Sequence, residues 1–237
     1  MVVYRKMAEG EEPPLRYLAG NDSQLEDPHG VAVDTKRNLL IVSNHGSVSY
    51  REGTPPATFP VHRYGPDVES HPPRSEWRSM DGSGKFELPS ITIHRRDATG
   101  NTPPLRIIEG PKTALNWPMQ VAVDEERGEL YVANDMDNSI LVFRVTDNGD
   151  VAPIRRIKGP KTGIRHPTGV ALDLKNREVW ASSMGNHSAS VFPMTANGNV
   201  PPLRTIRGGP ANEPALMIGN PGAVGYDTKR DEILVPN

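Results

Sequence analysis

The chain has 237 residues, with 27 basic and 29 acidic side chains that are interspersed to give a formal net charge of -2. This balance argues against the basic stripe that nucleic acids select, and no apolar run approaches the roughly 20 residues that span a bilayer. Cysteine is absent, which excludes disulfides and thiolate metal sites, so any metal ion must be held by oxygen or imidazole.

Two short strands are predicted near the N-terminus, at Val2–Arg5 and around Arg16. Val2–Arg5 matches 141–144, and 11 residues separate Arg5 from Arg16, as they separate Arg144 from Arg155. The segment therefore corresponds to the second half of a unit that recurs later in the chain.

The first complete copy of that unit has strand a at 29–34, strand b at 39–44 and strand c at 91–94. The connection between b and c is 41 residues longer than in the next copy. This segment, 45–90, carries five of the 13 aromatic residues, including Trp77, and seven prolines. Because disordered segments are poor in aromatics, we predict an ordered flap or extended hairpin over the axis. The aromatics would either pin this loop to the blade or stack on a ligand.

The second copy is the clearest, with strands a to d at 119–124, 129–134, 139–145 and 153–158. Each is an apolar run rich in β-branched and aromatic residues, bounded by turn formers. Arg106, Arg155 and Arg204 recur every 49 residues, and we expect them on strand d, either paired with acidic neighbours or covering apolar surface with their stems. Four strands in a period near 50 residues are typical of one β-propeller blade.

The third copy follows at 168–173, 178–183, 189–192 and 202–208, and the fourth supplies only strands a and b, at 222–227 and 232–237. The sequence therefore predicts an all-β propeller of about four four-stranded antiparallel blades, one of them shared between the N- and C-termini. We expect one domain over 1–237, with 45–90 as an expanded b–c loop. A segment of a longer array, or self-association of two chains in a larger ring, would also give matching ends.

The motifs Pro28–Asp34, Glu129–Asn134 and Ser139–Phe143 resemble the NHL-repeat family of β-propellers and its bacterial relatives, over the whole chain except 45–90. Such relatives usually have about six blades, and their strand b typically ends in Asp, where this chain has Asn or Ser. The resemblance implies either a scaffold that binds protein, RNA or glycan, or a metal-dependent lactonase or lyase. It also implies an extracytoplasmic location, periplasmic or secreted, although this chain shows no signal peptide.

Both irregular loops, the expanded b–c loop and a d–a loop with five extra residues, fall on one face of the predicted propeller, and we place the site there. Repeated Asn residues at the ends of strands b are typical of turn capping, whereas unrepeated residues are better site candidates. The ligand-binding candidates are His29, Asn44, His45, Trp77, Gln120, Asn134, Asp135 and His166.

Two functions are compatible with these residues. The first is a non-catalytic module that binds a protein or small ligand on the face carrying the expanded loop. The second is a lactonase or lyase that uses a divalent cation such as calcium, with His29 and His45 as ligand or general base and oxygens of Asn44 and Asn134 on the ion. Carboxylates are scarce at the inferred axial positions, which favours the first. No catalytic residue is assigned.

Overall fold

A computed structural model describes residues 1–46, 88–210 and 218–236 of the chain. These ranges contain β-strands and single turns of 3-10 helix, without an α-helix, and none of their helical turns is long and apolar enough to cross a membrane. The strands are β1 (Val2–Val3), β2 (Arg16–Tyr17), β3 (Pro28–Asp34), β4 (Leu39–Asn44), β5 (Ser90–Arg95), β6 (Arg106–Glu109), β7 (Pro118–Asp124), β8 (Glu129–Asn134), β9 (Ser139–Arg144), β10 (Arg155–Lys158), β11 (Pro167–Asp173), β12 (Glu178–Ser183), β13 (Ser188–Pro193), β14 (Arg204–Arg207), β15 (Gly225–Asp227) and β16 (Glu232–Leu234).

Three complete blades are formed, each an antiparallel sheet of four strands in chain order. Blade 1 is β3 to β6, blade 2 is β7 to β10 and blade 3 is β11 to β14, while β1–β2 and β15–β16 are two-stranded sheets. The prediction of an all-β propeller with four-stranded antiparallel blades is confirmed. The segment predicted as a flap or hairpin joins β4 to β5, and its residues 47–87 lie outside the described ranges.

Neighbouring blades are joined at the turn between strands c and d. Strand d of one blade forms a parallel bridge with a glycine in the next blade's c–d turn, as Ile108 does with Gly149 and Ile157 with Gly198. Gly149 and Gly198 have φ of 77° and 75°, a region that glycine enters without a Cβ penalty. The turn glycines expected from the repeat therefore also mark where the blades meet.

The apolar core lies between blades and is built from the repeated strand residues. Leu130, Val132 and Phe143 of blade 2 are fully buried and pack in one cluster with Ile93 of blade 1. Phe192 of blade 3 is equally buried, in the cluster between blades 2 and 3. Burial of side chains of this size stabilises a fold by about 1.5–3 kcal/mol each. The contacts between blades therefore hold the three complete blades together, and this row of blades is called the arc below.

The a strands approach each other closely around the axis, which explains two glycines. A Cβ on Gly30 would lie 2.4 Å from the carbonyl oxygen of Met119, and one on Gly169 would lie 2.5 Å from the backbone nitrogen of Val224. Only a residue without a side chain allows this spacing. The a strands are therefore innermost, and their first residues surround the mouth of the axis.

The two half blades do not join into one sheet, so the predicted sharing of a blade between the termini is not met in the structure. β1 pairs with β2, and the N-terminal ammonium donates a hydrogen bond to the Leu18 carbonyl; Leu18 in turn bridges to Gly100 of blade 1. β15 and β16 instead pack beside blade 3, where Tyr226 and Ile233 contact its apolar cluster. The two half blades are thus attached to different complete blades, the N-terminal one to blade 1 and the C-terminal one to blade 3.

The inner strand of blade 1 lacks the neighbour that the inner strands of blades 2 and 3 have, and the exposure of one valine shows this. Val31 is 56% exposed, whereas Val121 and Val170, which hold the same position on β7 and β11, are 3% and 1% exposed. The face of blade 1 that carries Val31 is therefore uncovered, whereas the equivalent faces of blades 2 and 3 are buried against a neighbouring blade.

Candidate functional site

Each complete blade presents two residues at the mouth of the face that carries the expanded loop. The first precedes strand a and has a left-handed backbone, with φ of 56°, 55° and 48° in blades 1 to 3. Its carbonyl accepts a hydrogen bond from the backbone N–H of the second residue, which follows strand b. In chain order the pairs are Asp27 and His45, Trp117 and Asp135, and His166 and Met184. The backbone frame is thus repeated, while the side chains on it differ.

Blade 1 brings two imidazoles and a carboxylate together on this frame. The Nε2 of His29 lies 3.6 Å from Oδ1 of Asp27, and the Nδ1 of His45 lies 3.5 Å from Oδ2 of the same residue. The ring centroids of His29 and His45 are 4.4 Å apart. In the part of the chain that the structure describes, this is the one group of three or more His and carboxylate residues whose ligand atoms all fall within 4.8 Å of one another.

His45 is held between two rings. Its other neighbour is Trp117 of blade 2, whose ring centroid lies 4.3 Å away at an angle of 45°. Burial, and next the adjacent His29, lower the pKa of His45, while Asp27 and Asp135 act in the opposite direction. The imidazole is therefore neutral at pH 7, with a lone pair available on one ring nitrogen.

Asp135 and His166 form a second pair at the next junction, between blades 2 and 3. The Nδ1 of His166 lies 2.9 Å from Oδ1 of Asp135, whose side chain is 10% exposed. The backbone N–H of His166 also donates to the side-chain oxygen of Asn138. Because Asp135 acts electrostatically on His45, the two pairs belong to one polar surface along the mouth.

The candidates Asn44 and Asn134 are buried at the ends of β4 and β8 and bind the protein's own loops. The Oδ1 of Asn134 accepts a 2.7 Å hydrogen bond from the backbone N–H of Asn116, and its Nδ2 donates to the Ala114 carbonyl. The Oδ1 of Asn44 likewise accepts from the backbone N–H of Glu26. These amides hold the d–a loops beneath the mouth, a structural role like the capping that repetition indicated.

Gln120 lies on the inner strand and links blade 2 to blade 3 and to the C-terminal half blade. Its Oε1 accepts hydrogen bonds from the backbone N–H groups of Val170 and Val224, at 3.1 and 3.2 Å, and its Nε2 donates to the Val224 carbonyl. Blades 1 and 3 carry Gly30 and Gly169 at this position. Gln120 therefore has a structural role, because its hydrogen bonds connect the innermost strands around the mouth. Trp77 lies outside the described residues.

Sequence reasoning missed Asp27 and Trp117. Each immediately precedes the proline that opens strand a, as does His166, which was among the candidates. Alignment of the three copies at that proline would have revealed them. The same alignment explains why they meet His45 and Asp135, since residues at this position pair with the residue after strand b.

A shallow cleft adjoins this surface between blades 2 and 3. Its volume is about 440 Å³, and Lys158 and Arg165 are among its lining residues. Arg165 directly precedes His166, so the cleft extends the polar surface towards a more basic region.

No family model matches the chain, and no curated protein matches its sequence. Solved structures are similar in fold. The Kuenenia stuttgartiensis hydrazine synthase superposes with a TM-score of 0.54 and 12% identity, over 92% of this chain and 44% of its own. A chain of the nidogen/laminin complex gives 0.51 and 10%, over 90% and 57%, and the Dos1 propeller gives 0.50 and 8%, over 88% and 38%.

The chain thus spans between 38% and 57% of the length of these solved structures. At such low identity the similarity establishes the propeller fold alone, because propellers carry unrelated functions.

Proposed function

We propose that this protein is a non-catalytic binding propeller that engages a small polar ligand or a protein segment at the mouth of the face carrying the expanded loop. The observation that carries the proposal is the repeated backbone frame with unlike side chains. A scaffold needs the same residue in each blade, whereas a site needs different ones, and here Asp27, His45, Trp117, Asp135 and His166 differ at equivalent positions.

The chemistry of this surface suits a ligand with both a flat face and polar groups. Trp117 offers an aromatic face, and its buried Nε1–H has no hydrogen-bond partner among the described residues. Asp27 is 63% exposed and supplies a carboxylate acceptor. Pockets that combine an aromatic platform with a few convergent polar groups are the usual form of small-ligand sites.

Trp117 provides a direct reporter for this proposal. The chain has three tryptophans, so replacing Trp77 and Trp180 with Phe leaves Trp117 as the sole indole and keeps an aromatic ring at the candidate position 77. We expect at least one member of a panel of monosaccharides, aldonolactones and short peptides to produce a saturable change in its fluorescence. A stacked indole responds to any group that displaces or covers its neighbour His45.

The matched controls are two histidine variants in the same single-tryptophan background. His45→Ala removes a site residue and should abolish the saturable change. His187→Ala, at a turn of blade 3 where the ring contacts the Gly219 carbonyl, should retain it. A signal that persists in His45→Ala, or the absence of any signal across the panel, would contradict binding at the mouth.

A metal-assisted lactonase or lyase is the second candidate. The observation that favours it is the neutral imidazole of His45 beside Asp27 and His29, since such a group serves as a general base. The amide oxygens of Asn44 and Asn134 accept hydrogen bonds from backbone N–H groups. In this mechanism Asp27 would therefore replace them as the oxygen ligand of the metal ion. Metal-dependent turnover of an aldonolactone, lost in His45→Ala, would establish this function over the first.

We also propose self-association through the uncovered ends of the arc. In blades 2 and 3, Glu129 pairs with Arg155 and Glu178 with Arg204 across the sheet. The residues at the same positions of the half blades are Glu232 on β16 and Arg16 on β2, so β16 of one copy is complementary to the β1–β2 sheet of another. Edges of this kind readily accept a further strand.

Light scattering over a concentration series tests this. We expect the average mass to rise with concentration, and Val31→Lys to lower it because that residue lies on the uncovered face. Leu174→Lys, at a residue of blade 3 that is 47% exposed, should have no effect. A single-chain mass at every concentration would contradict self-association.

Membership of the NHL-repeat family, a bacterial source and an extracytoplasmic location are proposals supported by the strand motif alone. Periplasmic fractionation in a native host would test the location.

A further inference from the structure

We propose that Asp27, His29 and His45 form a binding site for a divalent transition-metal ion, with zinc the best fit, at the rim of the mouth. This inference goes beyond the proposed ligand binding, because an ion can bind here whether or not a further ligand does. It names three protein ligands, and it leaves at least one coordination position for water or for an oxygen of a ligand.

The spacing of the donor atoms supports a tetrahedral ion. With zinc–nitrogen and zinc–oxygen bonds of about 2.0–2.2 Å, two ligands of a tetrahedral site lie about 3.3–3.6 Å apart. Oδ1 of Asp27 lies 3.6 Å from the Nε2 of His29, and Oδ2 of the same carboxylate lies 3.5 Å from the Nδ1 of His45, so each oxygen is at ligand spacing from one imidazole. All three donors fall within 4.8 Å of one another. The remaining adjustment is a small rotation of exposed side chains.

The kinds of donor select the ion. Two imidazoles and one carboxylate suit zinc and related transition metals, whereas calcium takes six to eight oxygen ligands. The donors that lie within 4.8 Å of one another include one carboxylate, and the amide oxygen of Asn44 accepts a hydrogen bond from the Glu26 N–H. Calcium, the example given for the second function, therefore fits this site less well than zinc.

The protein holds part of the site in place before any ion arrives. The backbone N–H of His45 donates a 2.9 Å hydrogen bond to the Asp27 carbonyl, which fixes the two residues relative to each other. Trp117 packs on the His45 ring from the side of blade 2. Such support is what orients metal-binding histidines in proteins.

The open side of the site faces solvent. The side chains of Asp27 and His29 are 63% and 35% exposed, whereas that of His45 is 13% exposed. An ion bound here would therefore be held from the protein side by His45 and be reachable from the mouth. A site with three protein ligands and one exchangeable position is typical of zinc that binds water or substrate.

Isothermal titration of the metal-free chain with zinc chloride tests the proposal, supported by the visible absorption of cobalt(II) as a measure of coordination geometry. We expect one ion per chain and a tetrahedral cobalt spectrum. His45→Ala and His29→Ala should each weaken zinc binding by about 100-fold or more, because each removes a direct ligand. His187→Ala should leave the affinity unchanged within about threefold.

Asp27→Asn is the variant least able to disturb folding, since it keeps the size of an exposed side chain. It should weaken zinc binding and change the cobalt spectrum, while circular dichroism stays that of the unaltered chain. The absence of zinc binding, or binding unaffected by all three ligand variants, would overturn the proposal. Because the titrations use metal ions and no organic ligand, that failure is distinguishable from a failure of the fluorescence screen.

Discussion

Replacing His94 with Phe is expected to raise the free energy of unfolding by about 1–2 kcal/mol at pH 7, because it removes two buried polar atoms that lack partners. His94 is fully buried on β5, opposite Leu40 of β4. Neither of its ring nitrogens has a hydrogen-bond partner among the described residues. Blades 2 and 3 carry Phe143 and Phe192 at this position, so the repeat itself indicates the better residue.

The larger effect of His94→Phe is expected in acid. Burial lowers the pKa of His94 from its usual 6.5 to about 4. Between these values the unfolded chain binds a proton that the folded chain does not, so the free energy of unfolding falls as the pH is lowered. A shift of this size corresponds to about 3 kcal/mol lost between pH 7 and pH 4. The Phe variant has no such group and should keep that stability.

Urea unfolding of both proteins at pH 7, 5.5 and 4 measures this difference. The quantity to compare is how the difference in free energy of unfolding between variant and parent, here called the gap, changes with pH. Any cost of fitting the larger ring is the same at each pH and does not affect that change. Phe143→His provides the reverse exchange in blade 2 and should introduce the same acid sensitivity. A gap that stays constant from pH 7 to pH 4 would show that His94 is not the buried neutral group described above.

Replacing Asn134 with Ala is expected to lower the free energy of unfolding by about 2–4 kcal/mol. The substitution removes the acceptor of the Asn116 N–H and the donor to the Ala114 carbonyl. Loss of a partner for a buried polar group costs about 1–3 kcal/mol each. Both groups lie in the d–a loop that carries Trp117, so the loss should also loosen the mouth.

Asn134→Ser is the matched control, because blade 3 uses Ser183 at this position. The hydroxyl of Ser183 accepts a hydrogen bond from the backbone N–H of Arg165 at 3.4 Å. We therefore expect the Ser variant to lose about half as much stability as the Ala variant. Equal stability of the Asn134→Ala variant and the parent chain in urea would mean that the amide does not hold the loop, and would return Asn134 to the ligand candidates.

The blades could be predicted from the sequence because their strands obey a fixed period. The three b strands begin and end at the predicted residues, since each is an inner strand paired on both sides. The three a strands each begin one residue earlier than predicted, whereas the d strands of blades 2 and 3 and the first strand of the C-terminal half blade were predicted too long. β10 begins at Arg155 instead of 153, because Pro153 has no N–H to donate to the sheet, and β15 is limited by its short partner β16.

Closure of the ring could not be predicted, because it depends on the angle at which one blade packs on the next. Matching ends are compatible with any number of blades. The exposure of Val31 shows that the inner face of blade 1 is not covered by another blade.

The position of the candidate residues was predicted in part, by reasoning that unrepeated residues at the mouth are better site candidates than repeated ones. That reasoning identified His29, His45, Asp135 and His166, which the structure brings to one surface. It could not show that His45 stacks on Trp117, since that contact joins residues of different blades. It also could not separate Gln120 from the site, because only the structure shows its amide bound to the backbones of blade 3 and the C-terminal half blade.

A crystal structure of the chain grown with zinc, with data collected at the zinc absorption edge, tests the central claim that this mouth is the functional site. We predict an anomalous peak bonded to Asp27, His29 and His45, with its open side towards solvent at the mouth. A protein that takes up zinc but shows its peak elsewhere, or shows none at this rim, would contradict the account.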